Sequence, residues 1–118
     1  MDPHTSSNVN LKENLEGVDL SHARLEGADL KHANLEGKDL SNANLTRADL
    51  FSANLRGANL HSANFYQAFF FGTNLQGAHL WAADGLTQEQ IDRAIGDENT
   101  VLPRNLHAPQ HWSKGANE

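Results

Sequence analysis

Ala43-Asn44-Leu45-Thr46-Arg47-Ala48-Asp49-Leu50-Phe51-Ser52-Ala53-Asn54-Leu55-Arg56-Gly57 decides the fold of this chain, because a large apolar residue returns at every fifth position. Working outward, the series runs from Leu15 through Leu20, Leu25, Leu30, Leu35, Leu40, Leu45, Leu50, Leu55 and Leu60, continues with Phe65 and Phe70, and ends with Leu75 and Leu80. Two residues before most of these stands alanine, with Glu13, Val18, Lys38 and Thr73 as the exceptions, and between the pair lies mostly Asp or Asn. A step of five turns an α-helix by roughly 140°, which scatters the leucines over every face. In a continuous strand an odd step sends alternate leucines to opposite sides. The pattern instead fits a short extended segment, in which the small residue and the leucine both point inward, followed by a bend.

A longer period sets the size of the coil. Asn14-Leu15-Glu16-Gly17 returns as Asn34-Leu35-Glu36-Gly37, Asn54-Leu55-Arg56-Gly57 and Asn74-Leu75-Gln76-Gly77, a spacing of 20 residues. Four quintets therefore complete one circuit, with Leu and Phe filling the axis of a square coil and Ala where walls come closest. The Ala-(Asp/Asn)-Leu-x-x pattern over residues 13–84 resembles the pentapeptide-repeat family. The resemblance implies an all-β solenoid, a right-handed quadrilateral β-helix. The predicted core is Leu20, Leu25, Leu30, Leu35, Leu40, Leu45, Leu50, Leu55, Leu60, Phe65, Phe70, Leu75 and Leu80. The Asn14, Asn34, Asn54, Asn74 column is open to two readings, a stacked amide ladder or solvated surface asparagines. Lys38 falls at an inward position and is expected to bend its stem out to water at a corner, a specific role being the alternative.

Both ends of a solenoid need covers. Residues 85–118 are expected to supply a C-terminal capping helix and tail. Thr87 reads as an N-cap completed by Gln90 in a capping box, with Leu86 stapling onto Ile91. Gly96 reads as the stop of a helix from about Gln88 to Ile95, whose Ile91, Ala94 and Ile95 face the last coil near Leu75 and Leu80. The polar segment after Pro103, ending in Trp112, is expected to run back along the rod. Residues 1–12 read as a disordered leader or N-terminal cover, and an uncapped N-terminal end is one candidate surface for a homodimer.

The 118 residues carry a formal charge of −6 and no cysteine, which removes disulfides, thiol nucleophiles and thiolate zinc sites. No apolar run approaches the roughly 20 residues of a membrane span, and Met1-Asp2-Pro3-His4-Thr5 lacks a signal-peptide hydrophobic stretch, so a cytoplasmic protein without membrane contact is expected. A filled coil offers no catalytic cleft, and no acid, base and nucleophile converge, so neither enzymatic activity nor a cofactor is expected. The seven histidines lack metal-ligand spacing: His22 and His32 fall on opposite walls, and His61 and His79 lie about 8 Å apart on a diagonal. Nine Lys and Arg against fifteen Asp and Glu give no footprint for direct nucleic-acid binding.

The pattern's most conspicuous departures are aromatic. Phe51 and Phe71 share an outward column one coil apart, Phe69 lies on the same wall, and Tyr66 on the wall before it. Contiguous exposed apolar residues mark contact sites, so Phe51, Tyr66, Phe69 and Phe71 are candidates for binding a protein partner or a second copy. The alternative is that the tail covers them within one chain, through Trp112. The expected role is thus a structural or protein-interaction module. A second reading follows from the resemblance, since some pentapeptide-repeat proteins mimic DNA and bind type II topoisomerases such as DNA gyrase. Glu16, Glu36, Asp19 and Asp39 supply an acidic edge for it, which Arg56 interrupts.

Overall fold

The computed structural model describes residues 18–112. The readings of residues 1–12, the N-terminal end, Asn14, Leu15 and Glu16 lie outside them. From Leu20 onward each quintet makes one side of a square. Its corner is a four-residue turn closed by the inward small residue: Ala23 N–H donates to Leu20 O at 3.1 Å, Ala48 to Leu45 at 3.0 Å and Thr73 to Phe70 at 3.0 Å. In every corner from His22 to Ala82 the third turn residue has a positive φ, as in a type II turn. Glycine fills only some of these corners; His22, Arg47, Ser52 and Gln67 adopt φ of 55–62° without it.

The sides stack in parallel with a register of 20 residues. The first wall pairs Arg24 with Asn44 and Asn44 with Asn64, the second Asp29 with Asp49 and Asp49 with Phe69. The third pairs Asn34, Asn54 and Asn74 in sequence, and the fourth Asp39, Asn59 and His79. Each wall gives one bridged residue per coil, whose carbonyl accepts from the coil below while its N–H donates back, as in Leu25 N–H to Asn44 O (2.8 Å) and Asn44 N–H to Ala23 O (2.9 Å). The thirteen predicted core residues, from Leu20 to Leu80, all lie buried on the axis with the alanines between them. Phe65 and Phe70 meet edge to face, centroids 5.1 Å apart. Each such leucine contributes about 1.5–3 kcal/mol by leaving water. Thr73 is tolerated inside because its hydroxyl donates to Leu50 O at 2.6 Å.

The residue between the small and large positions has a second task. The Oδ1 atoms of Asp19, Asp29, Asn34, Asp39, Asn44, Asp49, Asn54, Asn59, Asn64 and Asn74 each accept the backbone N–H two residues on, at 2.9–3.2 Å. These Asx turns bind the start of ten corners, while Arg24, Phe69 and His79 leave theirs without one. The asparagine column also touches along the axis, Asn54 Nδ2 donating to Asn34 Oδ1 at 3.4 Å and to Glu36 Oε1 at 3.2 Å. Lys38 is half-buried at its inward corner.

The C-terminal cover corrects the sequence reading in four respects. The helix α1 spans Gln88–Asp92, with Thr87 as N-cap and the capping box present, but it ends before Ile95. Ile91 is buried at the end of the core, whereas Ile95 is 48% exposed and bridges in parallel to Asn74. The unpaired edge of the third wall claims the chain there, and Val101 does the same for His79 on the fourth. Ile95 and Val101 therefore lie above Leu75 and Leu80, while α1 caps the C-terminal end of the second wall, Gln90 Nε2 donating to Phe65 O and Ala68 O at 3.0 and 2.9 Å. Gly96 is not a helix stop: a Cβ there would meet the Trp112 ring at 2.5 Å. Finally, the segment after Pro103 folds over the end of the coil. His107 N–H and O bond the Gln88 side chain, and a 3-10 turn at Gln110–Trp112 delivers Trp112, whose Nε1 donates to Ala94 O at 2.9 Å. Among the described residues no helix is long and apolar enough to cross a membrane.

Candidate functional site

The second wall carries the phenylalanines because its columns change character along the rod. One outward column reads Asp29, Asp49, Phe69 and the next Lys31, Phe51, Phe71. At the N-terminal end Lys31 Nζ lies 3.0 Å from Asp29 and 3.6 Å from Asp49. Its hydrogen bond to Asp29 raises the Lys31 pKa above 10.5, so the pair persists below that pH and is lost as pH climbs through the raised value. Being exposed, it adds little stability.

Above this pair the wall turns aromatic. Phe51 stacks on Phe71 with centroids 5.9 Å apart and planes 10° from parallel, and on Phe69 at 6.3 Å and 24°. His32 meets Phe51 edge on at 5.5 Å. Phe69 and Phe71 remain 49% and 52% exposed, whereas Phe51, between His32 and the other two rings, is half-buried rather than free. Tyr66 is 52% exposed but stands apart on the neighbouring corner, under the Arg47 guanidinium at 6.0 Å. The structure thus joins three of the four candidates and adds His32, which its place 19 residues before Phe51 could have signalled. Among the described residues the tail does not cover this face, since Trp112 is committed to Ala94 and Gly96. Trp81, with Arg104 over its ring at 6.0 Å, is a second exposed aromatic that the sequence reading passed over.

Phe69 gives something up to be there. It occupies a column position where Asp29 and Asp49 bind the following corner, and a phenyl ring cannot accept the Phe71 N–H. Phe69→Asn should therefore hold or raise stability, by up to about 1 kcal/mol, in urea denaturation. A loss above that would show that Phe69 serves the fold instead. Among the described residues no three His, Asp or Glu side chains gather as a metal set.

The family model for pentapeptide repeats matches residues 7–37, 14–47 and 39–77, in 8 copies. The chain belongs to the pentapeptide-repeat family. Among solved structures it is similar to a pentapeptide-repeat protein of the Arabidopsis thaliana thylakoid lumen, at 26% identity and a TM-score of 0.67, over 86% of this chain and 72% of that one. A pentapeptide-repeat protein from Nostoc Pcc 7120 aligns at 30% identity and a TM-score of 0.48, over 73% of this chain and 84% of that one. One from the cyanobacterium Cyanothece 51142 aligns at 38% identity and a TM-score of 0.44, over 71% and 53%. No protein of curated function matches. The four-walled coil is accordingly a right-handed quadrilateral β-helix, the architecture of this family.

Proposed function

We propose that this pentapeptide-repeat protein is a non-enzymatic binding module that holds a protein partner against the wall of Phe51, Phe69 and Phe71. The observation that supports it is Phe69: an exposed ring stands where the same column elsewhere places a carboxylate that secures the fold. A ring left half in water at a position that gives up an Asx turn points to use. The rings present a contiguous, nearly parallel apolar surface, of the kind that partners cover.

The test is capture by the immobilised full chain. The double variant Phe69→Asn, Phe71→Ser keeps the stacked core and spares half-buried Phe51. It should lose self-association in sedimentation velocity or capture of the wild-type partner, with an unchanged far-ultraviolet spectrum. Equal association by both chains would refute the assignment. The DNA-mimic reading draws on Glu36 and Asp39 but has less behind it, because Lys31 sits between Asp29 and Asp49, and Arg56 follows Glu36 in its column. Inhibition or protection of purified gyrase in a supercoiling assay would favour that reading instead.

A further inference from the structure

At the C-terminal end of the coil three walls complete their ladders and one does not. Phe65 N–H donates to Asp84 O at 2.8 Å, Leu75 to Ile95 at 2.6 Å and Leu80 to Val101 at 2.7 Å. The equivalent donor on the second wall is Phe70 N–H. One coil earlier, Leu50 N–H points along the axis and reaches Phe69 O at 2.9 Å. Above Phe70 the chain bows out as α1 and returns at the next corner, where Gly72 N–H donates to Arg93 O at 3.0 Å; between these points, among the described residues, no carbonyl receives the Phe70 N–H. The other half of the rung is already satisfied, because Gln90 Nε2 donates to Ala68 O. What remains is a single main-chain donor with no acceptor from the chain itself among the described residues.

The surroundings narrow the acceptor. A notch of about 230 Å³, open to solvent, is lined here by Ala68, Phe69, Phe70, Glu89, Gln90 and Arg93. Arg93 Nη2 and Glu89 Oε2 pair at 3.1 Å, so the rim is already neutral and favours an uncharged oxygen over a carboxylate. Phe69 lines the notch and, with Phe71, stacks on Phe51. A rung of this wall is one residue of extended backbone, and such a residue places its carbonyl on the ladder and its neighbours' side chains along the wall. We propose that the notch takes the main-chain carbonyl of an extended apolar segment of the partner, which extends the second wall by one rung while its side chains lie on Phe69 and Phe71. The proposal rests on the phenylalanine wall being the contact surface.

Amide hydrogen exchange on the 15N-labelled full chain tests it, with the blocked peptide Ac-Thr-Val-Thr-Val-Thr-Val-NH2 at millimolar concentration as probe. In the free protein the Phe70 amide should exchange roughly tenfold faster than those of Leu75 and Leu80. With peptide its resonance should move downfield and its exchange slow to match theirs, and Phe69→Asn should abolish both changes. A Phe70 amide as protected as Leu75 and Leu80 without peptide would overturn the proposal, as would a peptide that leaves that amide unmoved, water then being its acceptor. Loss of partner capture in the double variant alongside an unresponsive Phe70 amide keeps the phenylalanine surface and removes the rung. A Phe70 response that survives Phe69→Asn does the reverse.

Discussion

Phe65→Ala should lower the free energy of unfolding by about 3–5 kcal/mol, the range for deleting a buried aromatic side chain whose site cannot collapse. Phe65 is fully buried, its ring meets Phe70 edge to face, and its carbonyl takes the Gln90 side chain that anchors α1. The cavity would therefore open on the axis directly beneath the cover. In a solenoid each coil rests only on its neighbours, so the damage should be local first. Urea denaturation gives the size of the loss. Amide exchange gives its place: Leu75 and Leu80 should lose protection well before Leu30 and Leu35. A uniform loss along the rod, or one below about 1 kcal/mol, would contradict a one-dimensional stack held by axial packing.

Gly85→Ala should cost about 2–5 kcal/mol, for a reason that differs from the other corners. Gly85 has φ +76°, and a Cβ there would stand 2.7 Å from Tyr66 N and 2.9 Å from Tyr66 Cα. The left-handed conformation alone costs a non-glycine residue about 1–2 kcal/mol, and pushing backbone aside adds about 1–3 kcal/mol. Gly27→Ala separates the two, since Gly27 has φ +66° with nothing within 4 Å of the added methyl. It should lose only the conformational part, in keeping with Ala82, which holds φ 63° in the native chain. Equal losses at Gly85 and Gly27 would show that the close approach to Tyr66 carries no weight.

The difference between what the sequence announced and what it concealed follows the range of the interactions. The five- and twenty-residue periods are axial properties, repeated often enough that the core from Leu20 to Leu80 and the register of the walls could be read directly. The capping box of Thr87 and Gln90 is local and was equally visible. Ile95 was misplaced because helical spacing with Ile91 is also local, while the pull of the unpaired Asn74 edge comes from 21 residues away. Gly96 was misread for the same reason, its contact with Trp112 lying across the lid. Among the phenylalanines, direction was legible but exposure was not. Phe51 points outward as its column requires, yet stacking with Phe69, Phe71 and His32 removes much of it from water. The Asp and Asn between the inward residues were visible as a column, but their acceptor role becomes apparent only once each corner has a shape.

The regularity of those corners has a geometric consequence for change in length. Each quintet carries the chain through a quarter of a circuit, and twenty residues bring it back above its start, advanced by about 4.8 Å. Five residues inserted after Leu40 would leave the axis filled but swing everything beyond them, phenylalanines and lid together, to an adjacent compass bearing. Twenty would raise the same features one storey and keep their bearing. Gain or loss of repeats can therefore re-aim a finished surface relative to whatever grips the other end of the rod, without altering a single side chain within it.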